Sequence, residues 1–310
     1  MPSRGERGNA VTAPVGLFAG LATLDVVYRV SRPPEPDEKV QAMRQDFAAG
    51  GPATNAAVTF AALGGRAVLL TALGAHPLSQ VIADDLAVRG VTVLDATPDR
   101  TEPPAVSSVV VTEETAQRSV VSVRGQGVTI PAVPELPVAD VVLLDGHHPT
   151  LARAAAEHGS RTAAPVVLDA GSWKDVLPAI LPHVTIAAAS ATFRTLSATA
   201  PDDVAADLLR HARAALITQG ADPVRWWHGS RSGTVAAQPI TAVDTLGAGD
   251  AFHGALAFAA ARIPAADDSD ALHRAISFAC RVAAIRCESA GPRAWLQDRR
   301  LAPLAAGGLE

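Results

Sequence analysis

Short apolar runs alternate with longer stretches of helical spacing along most of this chain. The run VGLFA at 15–19 stops at Gly20 and predicts a first core strand. Runs at 67–73 and 91–94, with the segments ADVVLLDG, APVVLDA, HVTIAAA and ALITQG, predict further buried strands. Helices are expected at 55–63 and 78–89, and in TLARAAAEHG, WKDVLPAILP and PDDVAADLLRHA. This β–α–β alternation predicts an α/β fold, a doubly wound, mostly parallel sheet flanked by helices. VRWWHG and GTVAAQPI form a hairpin-like pair, and 269–287 reads as a long helix before a frayed end, PLAAGGLE.

Two stretches break the rhythm. SSVVVTEETAQRSVVSV, within 105–123, reads as two strands around a polar turn. The β-branched run 21–30 leads into SRPPEPDEK, which has turn chemistry. Segments of about 25–46 and 105–126 together predict a small β-sheet apart from the main body, a lid over a site. The exposed edge of such a sheet offers a second copy a place to pair, as a homodimer.

Composition narrows the class. Hydrophobic content of 48% with mean hydropathy +0.20 is enough for a large core. A net charge of -5 with no Lys/Arg run excludes nucleic acid as the expected partner. No uninterrupted apolar run reaches membrane-spanning length, and residues 1–13 read as a disordered tail without the apolar core of a signal peptide. The expectation is one soluble, cytoplasmic domain over 14–310. Cys280 and Cys287 lie seven apart in a helical pattern, too far for a disulfide, and read as free thiols.

The chemistry concentrates in 241–261, TAVDTLGAGDAFHGALAFAAA. A β-prone run at 240–243 leads into a turn containing Gly247, Ala248 and Gly249, and Asp250 opens an apolar helix. Small residues at a helix start let amides and the helix dipole hold an anion. A carboxylate beside an anion cradle needs a reason. A base that takes a proton from a hydroxyl attacking a phosphoryl group supplies one. No GxxxxGK[ST], no VAIK, HRD or DFG set, and no GxGxxG after a strand occurs, so the usual P-loop, protein-kinase and dinucleotide schemes are absent. Gly50-Gly51 marks a tight turn, Pro52 suits a first helical turn, and the Asn55 amide can both donate to and accept from hydroxyl groups. Asp25, Asp145, Asp169 and Gly220 join this set at expected strand ends, where ligands collect in such sheets. Asp25 and Asn55 also have bland readings, as capping residues.

DTLGAGDAFHGAL resembles the C-terminal signature of the ribokinase-like carbohydrate kinases, the PfkB family. GGPATNAA is similar to the family's sugar-binding turn, TQGADPVRWW to its nucleotide segment, and FACRVAAIRCESAGPRA to its last helix and glycine loop. The resemblance spans roughly 15–298 and implies ATP-dependent phosphorylation of a primary hydroxyl of a monosaccharide, a ketose or related sugar, with Mg²⁺. It implies Asp250 as base, amides at Gly247, Ala248 and Gly249 as the anion hole, and Asp25, Gly50, Gly51 and Asn55 at the sugar. Thr218, Gly220, Thr245, Ala283, Cys287 and Gly291 fall where the nucleotide lies. Some members bind K⁺ through backbone groups, here near Asp244 and Leu246. The chain departs from the pattern at Gly74–Ser79 and at Ser190–Phe193, where an Asn and a Glu tied to magnesium and phosphate are usual. A serine at 190 is similar to the ketohexokinase and sulfofructose-kinase branches. A nucleoside kinase, or a sensor that binds sugar or nucleotide without turnover, are the alternatives. His147, His148, Lys174, Arg118 and Arg124 are less specific candidates for contact with a sugar or an acidic substituent.

Overall fold

The structure, a computed structural model, describes residues 13–123, 127–307 and 309. The expected tail, apart from Ala13, and Arg124 lie outside the described residues. Among the described residues thirteen strands follow in chain order: β1 Val15–Ala19, β2 Thr23–Val30, β3 Arg44–Gly50, β4 Arg66–Thr71, β5 Val91–Asp95, β6 Ala105–Thr112, β7 Arg118–Ser122, β8 Val141–Leu144, β9 Val166–Ala170, β10 Ile186–Ser190, β11 Ala214–Gln219, β12 Asp222–His228 and β13 Arg231–Val235. The helices are α1 Pro52–Ala62, α2 Pro77–Val88, α3 Pro149–Thr162, α4 Leu177–Ile180, α5 Pro201–Leu209, α6 Ala248–Ala260, α7 Ser269–Cys287 and α8 Leu301–Gly307.

Nine strands form one sheet in the order β13-β12-β11-β10-β9-β8-β1-β4-β5. It is parallel from β11 to β5, with β12 and β13 added as an antiparallel hairpin at one edge. Alternate side chains leave the sheet on opposite faces. Phe18, Leu69, Leu143 and Val167 pack in one core with residues of α1, α6 and α7. Leu17, Leu70, Val142 and Leu168 pack in the other with residues of α3, α4 and α5. The remaining strands form the separate four-stranded sheet, in the order β3-β2-β6-β7.

The chain folds differently from the sequence expectation in four places. The expected small-sheet segment ends at about 46, but the strand runs on to Gly50, RQDFAAG pairing with β2 from Arg29↔Arg44 to Thr23↔Gly50. Cross-strand pairing makes it a strand, because its own polar pattern does not. Residues 240–243 form no strand; the amides of Val243 and Asp244 instead donate to the Cys287 carbonyl at 2.8 and 3.1 Å. The expected helix in WKDVLPAILP shrinks to four residues and a 3-10 turn, Leu181–His183, since Pro182 cannot continue an α-helix. The supposedly frayed end holds α8, whose Leu301 is buried and whose Leu304 packs on the core.

Two glycines set the geometry that matters for function. Gly51 caps α1 with φ 104°, and a Cβ there would stand 2.1 Å from the Leu21 carbonyl oxygen. Gly254 lets α6 press against α1, where a Cβ would stand 2.4 Å from the Ala56 carbonyl oxygen and 2.7 Å from Thr59 Cβ. Phe60 of α1 lies edge-on to Phe18 and Phe258, at 5.3 and 5.5 Å between ring centroids. α6 is buried at every position from Ala251 to Ala260. Gly254→Ala is expected to destabilise the fold by about 1–3 kcal/mol, the usual cost of overpacking. Chemical denaturation checks this; an unchanged midpoint would show that the helices separate freely.

Candidate active site

The turn before α6 enters the helix through Gly247, in the left-handed region at φ 71°. The first-turn amides have no acceptor inside the helix. Ala248 donates to the Thr245 carbonyl at 3.3 Å. Asp250 stands in this first turn and meets Asn55 across the α1–α6 contact, Asn55 Nδ2 donating to Asp250 Oδ2 at 2.8 Å. Burial, then the negative Asp169, push the Asp250 carboxyl up to about 7, while the Asn55 hydrogen bond and His253 act in the opposite sense.

The Asn55 amide is oriented by a residue that sequence reasoning missed. Arg293 Nη1 donates to Asn55 Oδ1 at 3.2 Å, which leaves Nδ2 free to face Asp250. Arg293 also donates to Asp85 Oδ2 at 3.0 Å and to the Ala49 carbonyl. Asp85 on α2 in turn accepts from the Ala49 amide at 3.0 Å. The signal for Arg293 was its place after Gly291-Pro292 in the loop already singled out. Asp85 carried none, being one acid on an amphipathic helix.

Asp25 projects from β2 and is half-buried, with Thr23 Oγ1 donating to its Oδ1 at 2.7 Å. Burial raises its pKa, opposed by the Thr23 and Ser107 hydroxyls and by Arg293. Gly50 abuts the Asp25 carboxyl, where any side chain would collide. Asp25, Asn55, Gly247, Leu246 and Arg293 line one cavity of about 20 Å³. Of the expected residues, Asp25, Asn55 and Gly247 therefore meet in one place, and Asp250 joins them through its hydrogen bond with Asn55.

Of the residues assigned to the nucleotide, Thr245, Cys287 and Gly291 meet at the loop around Asp244. Cys287 receives the amides of Val243 and Asp244 at its carbonyl, and the Gly291 amide donates to Asp244 Oδ2 at 3.0 Å. Thr245 donates to the Ala116 carbonyl at 3.2 Å and accepts from Arg118 at 3.3 Å, so the β6–β7 turn reaches this loop. Ala283 is half-buried on α7. Thr218, the penultimate residue of β11, donates to the Ala189 carbonyl at 3.4 Å, and Gly220 turns into β12 at φ 66°.

Several other candidates take structural roles. Asp145 is buried and accepts from the amides of Leu21, Ala53 and His147 at 2.9, 3.2 and 2.9 Å, tying β8 to the start of α1. Phe193 packs in the core, its ring 6.3 Å from that of Trp173, while Ser190 Oγ lies 3.0 Å from Thr192 Oγ1. His76 caps α2. His147, His148, Trp173 and Lys174 line a wider cavity of about 580 Å³. Burial pushes the His148 imidazole toward its neutral form.

The expected K⁺ site does not fit. Asp244 is buried and its carboxylate is taken by Arg29 at 3.4 Å and by the Leu246 and Gly291 amides. Arg286, 3% exposed, points Nη1 at the Asp244 carbonyl at 3.4 Å and at the Ser289 carbonyl at 3.1 Å. A fixed guanidinium therefore already supplies positive charge where the cation was expected. Among the described residues no cluster of three or more His, Cys, Asp or Glu side chains could hold a metal ion, and no helix is long and apolar enough to cross a membrane.

Comparison with known proteins identifies the family. The chain is 24% identical over 292 residues to the ribokinase of Bacillus subtilis (strain 168), covering 90% of this chain and 95% of that protein. A putative ribokinase from Agrobacterium tumefaciens superposes with a TM-score of 0.78 at 25% identity, over 93% of this chain and 95% of that one. The fold also matches Arabidopsis thaliana ribokinase, solved with ribose and ATP, with a TM-score of 0.70 at 20% identity over 96% and 99% of the two chains. The model of the pfkB family carbohydrate kinases matches residues 17–299, and the chain belongs to that family.

Proposed function

We propose that this protein transfers the γ-phosphoryl group of ATP to a primary hydroxyl of a monosaccharide, a ketose or related sugar. The observation that carries the reading is Asp250 in the first turn of α6, hydrogen-bonded to Asn55 beside the half-buried Asp25. In the reaction Asp250 takes the hydroxyl proton and the hydroxyl oxygen bonds to the γ-phosphorus. The bond from that phosphorus to the bridging oxygen breaks, and ADP leaves. The amides of Gly247 and Gly249, and that of Ala248 once it leaves the Thr245 carbonyl, face the charge that develops on the phosphoryl oxygens.

Asp25, Gly50, Gly51 and Asn55 hold the sugar. A cavity of about 20 Å³ has room for about one water, so sugar entry must part the Asn55–Asp250 contact. The attacking hydroxyl then replaces Asn55 as the partner of Asp250. The four-stranded sheet is the lid, and Arg118 reaching Thr245 is the contact through which it closes. Its edge strands are where a second copy could pair. Thr218, Gly220, Thr245, Ala283, Cys287 and Gly291 receive the nucleotide.

Mg²⁺ is commonly held by substrate phosphates, waters and one or two carboxylates, and it neutralises charge on the transferring group. The paired hydroxyls of Ser190 and Thr192 suit a hydrated ion better than a directly bound one. With Asp244 and Leu246 beside Arg286, no step runs through K⁺.

The nucleoside-kinase alternative rests on Phe47, 57% exposed on β3, which a base could stack against. A panel of sugars and nucleosides assayed for ATP consumption separates the readings. Turnover only on nucleosides overturns the sugar assignment, and binding without turnover leaves the sensor.

Asp250→Asn should retain sugar binding while lowering kcat by about 10²–10⁴-fold, the usual worth of a general base. Calorimetry and turnover assays together check this, and near-normal turnover would remove Asp250 from the role. Because the base must be ionised, kcat/KM should rise with pH through about 7 and fall away on the acid side. A profile flat from pH 5 to 8, spanning roughly the range of an ordinary and a raised carboxyl, would refute it. Rates should be equal in K⁺ and in tetramethylammonium buffers at constant ionic strength; activation by K⁺ would mean that Arg286 gives way to the ion.

A further inference from the structure

Asp250 shares its part of the core with a second pair of ionisable groups. His253 follows one turn later on α6, on the same side of the helix. Its Nδ1 lies 3.0 Å from Oδ2 of Asp169, the penultimate residue of β9. The two side chains are 6% and 7% exposed. Every other residue of α6 from Ala251 to Ala260 is apolar or glycine. An isolated charge at such depth is costly, and a pair is retained only where attraction offsets desolvation. Neither residue is needed to hold sugar or nucleotide in the reading above, so the pair calls for another reason.

The charges around it are few. Asp250 faces Asp169 and Asp25, which disfavour its carboxylate form, and His253 and the Asn55 amide, which favour it. His253 faces Asp169, Asp250 and the Ala188 carbonyl of β10. Asp169 faces His253, then Lys174 beyond β9 and His147 beyond β8. Burial opposes ionisation of both members of the pair. Their mutual attraction overrides it, holding Asp169 below the usual carboxylate range and His253 above the usual imidazole range.

We infer that Asp169 and His253 are positioning residues, a buried charge pair beneath the base that sets the pH at which Asp250 can accept a proton. The inference rests on Asp250 being the base. The two members act on it with opposite sign. Asp169 repels the Asp250 carboxylate and makes it more basic, while His253 attracts it and keeps it from being locked in the protonated form. A base poised near the working pH is the most effective.

The opposite signs give the test. Selective ¹³C labelling of aspartate carboxyls, with the Asp250 signal assigned through Asp250→Asn, reads the titration of Asp250 without substrate. His253→Gln leaves Asp169 as an uncompensated negative charge, so the Asp250 midpoint should move up by on the order of one pH unit. Asp169→Asn should move it down by less, because His253 loses much of its own charge along with its partner. The double variant should follow Asp169→Asn, since the effect of His253 depends on its partner. The acid limb of kcat/KM should shift in the same directions. If both single variants shift alike, or neither shifts, the pair only packs the core and the inference is overturned. Should His253→Gln not fold, the direction in Asp169→Asn and its match to the double variant decide between the two. If no sugar is phosphorylated, the kinase reading fails while the carboxyl titration still decides this one.

Discussion

The packing of α6 against α1 is the constraint on which the site depends. Residues 195 apart in sequence meet there, when Asn55 donates to Asp250 at 2.8 Å. That distance requires the two helix backbones to approach within the space that Gly254 leaves open, with Phe60 wedged between Phe18 and Phe258 behind it. The start of α1 is fixed by Gly51 against Leu21, and by Asp145, which accepts the amides of Leu21 and Ala53 from the end of β8. The start of α6 is fixed by Asp244, which anchors Leu246, Gly291 and Arg29. Two buried carboxylates thus pin the two helix ends whose meeting forms the site. Buried acids accepting several amides hold backbone firmly, since leaving any of those partners unpaired costs free energy.

The electrostatics follow from the same packing. Asp25, Asp169 and Asp250 converge on one volume, and each would be strained by the others in isolation. The protein separates their roles by neighbours. Asp169 is neutralised by His253, Asp25 is tempered by Thr23, Ser107 and Arg293, and Asp250 keeps the least compensation. Burial and the negative Asp169 raise the carboxyl left in that position to about 7. Arg293 serves twice, since it lies near Asp25 and also orients the Asn55 amide. Arg286 is comparably fixed beside Asp244, donating to the Asp244 and Ser289 carbonyls.

Much of the fold was legible in the chain. The parallel strands are short apolar runs buried on both faces, so their pattern survives without context, as in VVLL of β8 and IAAAS of β10. The long α7 appears at its expected bounds because Asp268 caps it and its apolar spacing is continuous. β3 was legible only up to about 46, because RQDFAAG is polar and exposed in its first half and small and buried in its second, and its pairing with β2 carries the strand on to Gly50. The stretch 240–243 misled for the opposite reason. Its β-prone residues meet a lone carbonyl, that of Cys287, rather than a neighbouring strand.

The sequence by itself determined the α/β architecture, the glycine turn before α6 and the placement of Asp250 at a helix start, because these depend on local spacing and on the conformational limits of glycine and proline. It also marked Asp25, the Gly50-Gly51 turn and Asn55 as chemistry-bearing. Only the tertiary structure decided which of the strand-end acids remain available. Asp145 and Asp244 are consumed by backbone amides, Asp169 by His253, and Asp250 alone is left uncompensated enough to be raised to about 7. It likewise decided that Asp85 and Arg293 hold the Asn55 amide and that Arg286 fills the place expected for an ion. Ionisation and hydrogen-bond partnership are set by whatever lies within a few ångströms, and in this chain those neighbours come from segments far apart in sequence.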